Sequence, residues 1–150
     1  MKKVMFLCHG NICRSPIAEF VFKELTKGHN IHIESKAVSS EEIGNSIYPK
    51  AADILRKKGV DFSGHIARKF TKEDYEIFDY IIIMENYNLN RLLKIIDNDD
   101  QNKVYRLLDF TEESGDIEDP WYSGNFEKVY NQIYEGCKGL LTYLQQNNEI

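Results

Sequence analysis

Positive charge is scarce in this sequence. Its 150 residues hold 19 Lys and Arg against 24 Asp and Glu, for a formal net charge of −5 at pH 7. A nucleic-acid binder usually displays a basic stripe, so nucleic acid is not an expected partner. The Lys57-Lys58 and Lys69/Lys72 clusters read as solvated helix faces. Long apolar runs are also missing. None approaches the ~20 residues of a membrane span, which predicts no membrane insertion. The apolar start, residues 4–7, stops at Cys8 with no small-residue cleavage site after it, unlike a signal peptide. Cysteine is sparse and odd in number: Cys8, Cys13 and Cys137. A disulfide framework is thereby disfavoured, and free thiols predict a reducing, cytoplasmic setting. No repeat, low-complexity tract or Pro/Gly/Ser linker divides the chain, so residues 1–150 read as one domain. Hydrophobic residues at 42% and charged residues at 29% suit a soluble globular fold.

Strand and helix patterns alternate along the chain. Residues 4–7 form a short apolar run, read as a buried strand. Ser15-Pro16 then predicts a helix start, with Ser as cap and Pro at the first turn. Ile17, Ala18, Val21, Phe22 and Leu25 supply an apolar face at helical spacing. Residues 31–38 alternate and predict a second strand. Pro49 opens a second helix, closed by Gly59. Thr71 with Asp74 approximates a capping box. Residues 80–84, apolar on both faces, predict a central parallel strand. A helix is expected over 89–96, a strand over 104–108 and a long amphipathic helix over 125–146, with Gly136 and Gly139 inside it for close packing. This order implies an α/β fold with a parallel sheet flanked by helices, whose ligands bind at the carboxyl ends of the strands.

The first strand ends where the chain reads Cys8-His9-Gly10-Asn11-Ile12-Cys13-Arg14-Ser15-Pro16. A strand-to-helix turn aims backbone N–H groups inward and adds the positive end of a helix dipole, making an anion cradle from residues 9–15. Gly10 and Asn11 tolerate the left-handed backbone that such a curl requires. A cysteine in this field, near a guanidinium, is expected to be a thiolate nucleophile. Arg14 can grip two phosphoryl oxygens with its planar fork. Ser15 can donate to the sulfur and make it a better leaving group. A nucleotide P-loop would need Gly-Lys-Ser/Thr, which is absent. A metal site on Cys8, His9 and Cys13 lacks a fourth ligand. The bland alternative for Cys8 is a buried inert thiol.

Phosphoryl transfer to sulfur from an aryl ester also needs an acid for the leaving oxygen. Glu118-Asp119-Pro120-Trp121-Tyr122 lies between the fourth strand and the last helix, within reach of the same sheet edge. Proline holds Asp119 extended. The neighbouring aromatics are expected to desolvate it and so keep it protonated. An Asp-Pro pair is otherwise a common turn.

Residues 8–16 together with Asp119-Pro120-Trp121-Tyr122 strongly resemble the low-molecular-weight protein tyrosine phosphatases. The likeness extends to Gly44-Asn45, His65-Ile66-Ala67-Arg68, Thr71-Lys72-Glu73-Asp74, Phe78-Asp79-Tyr80-Ile81 and the last helix. It implies a four-stranded parallel sheet and a hydrolase that needs no metal or cofactor. The substrate would be a tyrosine-phosphorylated protein and the product inorganic phosphate. It further implies Cys8 as the nucleophile that becomes phosphocysteine, Arg14 as phosphate clamp and Ser15 as sulfur partner. Asp119 would be general acid, then general base. Asn11, Ser35 and His65 would support the loop, and Cys13 would be able to form a protective disulfide with Cys8.

Three positions depart from the family pattern. His9 stands where Leu or Thr is frequent, Glu41 where many members place an aromatic pocket wall, and Trp121 where Tyr is common; Tyr122 is retained. A carboxylate at Glu41 would repel an acidic peptide. Two activities on the same fold remain as alternatives. A thioredoxin-coupled arsenate reductase would need further cysteines near the third strand, and residues 82–93 have none. A protein-arginine phosphatase would carry Thr in place of Ile12, whose apolar side chain suits an aromatic ring instead. A catalytically silent phosphate-binding or redox-sensing module is a third possibility, disfavoured by intact Cys8, Arg14 and Asp119.

Overall fold

Strand β1 (Lys2–Cys8) forms the middle of the molecule because both of its faces are apolar. In the computed structural model, which describes residues 1–150, Val4 through Leu7 are fully buried. Side chains alternate across a strand. Val4, Phe6 and Cys8 therefore join one core layer, while Met5 and Leu7 join the other. On one side pairs β2 (Ile31–Ala37), on the other β3 (Tyr80–Ile83), followed by β4 (Val104–Arg106). All pairings are parallel, in the order β2-β1-β3-β4.

The larger layer is roofed by α1 (Arg14–Leu25), α2 (Pro49–Lys57) and α6 (Phe126–Gln146), with Phe22, Leu55, Ile133 and Leu140 packed beneath. The smaller is covered by α3 (Lys72–Ile77) and α4 (Asn86–Ile96) over Phe70, Phe78 and Leu92. The last short helix, α5 (Pro120–Ser123), precedes α6. No helix is long and apolar enough to cross a membrane. The basic clusters are solvated, with Lys57 and Lys58 both reaching Glu127 and Lys72 paired with Asp97, but Lys69 lies on no helix and instead forms an isolated bridge with Ala37.

Several sequence signals act as predicted. Pro49 opens α2, and Thr71 with Asp74 forms a true reciprocal capping box. The two glycines of α6 permit a close approach. A Cβ at Gly136 would lie 2.5 Å from Leu107 Cγ, and one at Gly139 only 2.1 Å from the Phe110 carbonyl oxygen. Other elements differ from expectation. Helix α1 begins at Arg14 and Ser15 caps nothing, because its hydroxyl is turned into the loop beside it. Helix α4 begins three residues before the predicted position 89, since Glu85 and Asn88 form a capping box. Strand β4 stops at Arg106, where the chain turns into a 3-10 helix (Leu107–Phe110) that packs against α6.

Candidate active site

At the carboxyl end of β1 the chain curls through residues 9–13 into α1. β1 lies between β2 and β3, at the point where successive connections depart in opposite directions, which is where open α/β sheets bind ligands. The backbone N–H groups of Gly10, Asn11, Ile12, Cys13 and Arg14 donate to no protein acceptor. Uncommitted N–H groups grouped in such a turn are able to hold an anion.

One asparagine organises the loop. Asn11 is fully buried and left-handed, at φ 60°. Its Nδ2 donates to Ser15 Oγ (2.8 Å) and to Ser35 Oγ (3.0 Å), and its Oδ1 accepts from the Arg68 N–H (3.2 Å). His65 Nε2 donates to the Asn11 carbonyl at 2.7 Å. Ser35 passes its own proton on to Glu19 Oε1 at 2.6 Å. Ser15 Oγ, which accepts from Asn11, lies 3.0 Å from Cys8 Sγ and can donate its O–H to a thiolate there. The Ser15 N–H also faces the sulfur, at 3.4 Å. The loop-support residues expected from sequence, Asn11, Ser35 and His65, are thus brought together. Gly10 is a correction: it has no positive φ, and only Asn11 takes the left-handed conformation. A Cβ at Gly10 would instead come within 3.1 Å of Glu42 Cγ, so the glycine admits the neighbouring loop.

Arg14 is almost wholly buried, 2% exposed. Its Nη1 donates to Glu85 Oε2 (2.5 Å) and to the Ile117 carbonyl (2.9 Å), and Nη2 lies 3.5 Å from Asp119 Oδ2. Burial works against its charge, but Cys8, Glu85 and Asp119 outweigh it and hold the guanidinium above its ordinary pKa. Burial, with Cys8 adding to it, pushes the Cys13 thiol well up. Cys13 is therefore a protonated thiol at neutral pH. All three cysteines are free.

Asp119 is extended, as a residue before proline should be, and its carboxylate caps α5 by accepting from the Trp121 N–H at 3.0 Å. The expected desolvation by its aromatic neighbours is only partial. The Asp119 side chain stays 30% exposed, and Trp121 and Tyr122 are 61% and 87% exposed. The reason is that Trp121 leans on Tyr48 instead, with ring centroids 5.0 Å apart.

Cys8, His9, Gly10, Ile12, Cys13, Arg14, Glu41, Asp119, Trp121 and Tyr122 line one cavity of about 250 Å³. Tyr48 and Phe126 complete its apolar wall. His9 Nε2 is paired with Glu41 Oε2 at 2.9 Å. Two of the three family departures are therefore a single contact. Glu85, Glu19 and Tyr48 escaped the sequence analysis. A signal existed for Glu85, an acid directly after a buried strand at the ligand-binding edge. Glu19 gave none, being one carboxylate within the apolar pattern of α1.

Residues 3–149 match the family model described as low molecular weight phosphotyrosine protein phosphatase. The chain is 38% identical to the low molecular weight protein-tyrosine-phosphatase YfkJ of Bacillus subtilis, over the whole of both chains. It is 35% identical to the low molecular weight protein-tyrosine-phosphatase PtpA of Staphylococcus aureus, over 96% of this chain and 94% of the relative. The crystal structure of YfkJ superposes with a TM-score of 0.93, covering 98% of this chain and 96% of that one. A low molecular weight protein tyrosine phosphatase from Streptococcus pyogenes does so with a TM-score of 0.87 at 37% identity, covering 96% and 93%. By sequence and by fold, the chain belongs to the low molecular weight phosphotyrosine protein phosphatase family.

Proposed function

We propose that this protein hydrolyses phosphotyrosine in protein substrates through a phosphocysteine intermediate on Cys8. The supporting observation is the convergence of four parts on one cavity: the Cys8 sulfur faced by the Ser15 hydroxyl, the uncommitted N–H groups of residues 10–14, the Arg14 guanidinium, and the Asp119 carboxyl. Phosphoryl transfer demands donors already aimed at the equatorial oxygens, because such donors need no rearrangement as charge develops.

In the first step the Cys8 thiolate attacks phosphorus and the bond from phosphorus to the tyrosyl oxygen breaks. Arg14 and the loop N–H groups hold the three equatorial oxygens. The incoming phosphoryl charge replaces Asp119 as the partner of Arg14; Asp119, having taken a proton from solvent, then gives it to the departing phenolate and is left as a carboxylate. In the second step the Asp119 carboxylate takes a proton from water. The resulting oxygen nucleophile attacks phosphorus, the sulfur–phosphorus bond breaks and inorganic phosphate leaves. The Ser15 hydroxyl stabilises the departing thiolate.

The walls favour an aromatic ester. Ile12, Tyr48, Trp121 and Phe126 line the cavity with apolar surface that suits a phenyl ring. A phosphoarginine side chain would lay its polar guanidinium against this apolar surface, at a desolvation cost that a phenyl ring avoids. Arsenate reduction would need a thiol relay, but Cys137 is fully buried in α6 with its Sγ against the Ala18 carbonyl. A cytoplasmic location is part of the proposal, supported by the three unpaired thiols. The test is one assay of matched phosphotyrosine, phosphoserine and phosphoarginine peptides. The phosphotyrosine peptide should be turned over fastest, and faster release from phosphoarginine would overturn the assignment.

A further inference from the structure

The mouth of the cavity carries a carboxylate on a fixed mount. Glu41 belongs to the segment after β2, and its Oε2 accepts from His9 Nε2 at 2.9 Å. The two segments are fastened together beneath this contact. Ser39 donates to the His9 carbonyl twice, from its hydroxyl at 2.8 Å and its N–H at 3.1 Å. The His9 ring packs near Tyr87, with centroids 6.1 Å apart, and its Nδ1 is buried without a hydrogen-bond partner. Only Nε2 is thus available to Glu41, and the ring cannot turn without losing that bond.

The carboxylate itself is open to solvent, with 64% of the Glu41 side chain exposed. His9 is the one basic side chain within ion-pairing reach of it. With the imidazole neutral, the Glu41 charge has no counterion in the protein, and its Oε1 accepts no hydrogen bond. The cavity it overlooks is lined by no lysine, and the single arginine there, Arg14, faces the phosphoryl site. A substrate cation lying just outside the phosphotyrosine ring would meet Glu41 on this wall, beside Glu42, whose carboxylate already accepts from Asn45. An acidic flank would meet a like charge there.

Resting on the phosphotyrosine activity proposed above, we propose that Glu41, held in place by His9, is a specificity-determining residue that selects phosphotyrosines flanked by Lys or Arg. Glu41 touches none of the reacting atoms. It acts by attraction at the rim, and His9 acts as its positioning residue. An exposed pair of this kind shifts an equilibrium by a few fold, and salt screens it.

The experiment compares kcat/KM for three phosphotyrosine peptides that differ only at the residues flanking the phosphotyrosine, which are Lys, Ala or Glu. Ratios are taken within each protein variant, so any general change in rate cancels. The unsubstituted protein should prefer Lys over Ala by about two- to fivefold at low salt and disfavour Glu by a similar factor. Both ratios should approach one in 1 M salt, where the screening length is about 3 Å. Glu41→Gln should abolish the ratios, Glu41→Lys should invert them, and Glu41→Asp should retain part of them. His9→Ala should weaken them by releasing the carboxylate. Equal rates on the three peptides in the unsubstituted protein would overturn the proposal, as would a Lys preference that survives in Glu41→Gln. Failure to turn over any phosphotyrosine peptide would instead overturn the phosphatase activity itself, and this selectivity with it.

Discussion

The loop between Cys8 and Ser15 and the segment between Asp116 and Gly124 meet at the same cavity, yet they are held in different ways. The first is braced internally. Asn11, Ser15 and Ser35 are each at most 1% exposed and are bonded to one another. The second is fastened mainly at its ends. Asp116 accepts from the Asn86 N–H and from Arg106, the Ile117 N–H donates to Met84, and left-handed Gly124 closes α5 onto Pro120. Between those anchors Trp121 and Tyr122 face solvent. The contrast fits the two tasks proposed for these segments. A cradle for a tetrahedral anion must be formed before the anion arrives, because reorganising it would raise the barrier. A proton donor must reach an oxygen that belongs to whichever substrate is bound, and a segment with few buried contacts opens at low cost.

The sharpest way to break this comparison is to remove one working group from each side. Cys8→Ser is expected to lower turnover of an aryl phosphate by at least about 10⁴-fold while phosphate still binds, because the cradle remains. Retained turnover would refute the nucleophile assignment. Asp119→Ala should slow phenyl phosphates by about 10²- to 10⁴-fold and esters with acidic leaving groups far less, since only the former need a proton. Equal losses on both would count against the acid role.

Glu85→Gln probes the buried cation shared by the two regions. It replaces the carboxylate that faces Arg14 with a neutral amide and should destabilise the ligand-free protein by about 1–3 kcal/mol in denaturant melts. Added phosphate should recover part of that loss by supplying a new partner for Arg14. A melt unchanged by the substitution would show that Glu85 does not hold the guanidinium. The smallest effect is expected at the exposed end of the comparison. Trp121→Ala should change stability by no more than about 0.5 kcal/mol, while raising KM for aryl substrates through loss of the wall it forms with Tyr48. A large loss of stability there would show that the acid segment is braced after all.

The order of strands and helices was legible in the sequence because each element carries its own periodicity and its own start signal. Residues 4–7 and 80–84 are apolar without interruption, Pro49 and the Thr71–Asp74 pair announce helices, and α6 shows one continuous stripe. The meeting of Cys8, Arg14 and Ser15 was legible as well, since a thiol, a guanidinium and a hydroxyl within eight consecutive residues need only one turn to come together. Element ends were less so. Ser15 looked like a helix cap because nothing local reveals that Asn11 and Cys8 compete for its hydroxyl. The predicted fourth strand ran too long because the demand that Leu107 and Phe110 meet glycines of α6 comes from the far end of the chain.

Local order along the chain, set by side-chain periodicity and turn chemistry, determined the α/β class and put Cys8, Arg14 and Ser15 at a strand's carboxyl end. Only the folded arrangement decided that Glu85 faces Arg14 across 71 residues, that Asp119 stays partly exposed, and that His9 pairs with Glu41. Contacts between distant segments depend on where the sheet and its covering helices place each loop, and no local pattern encodes that placement.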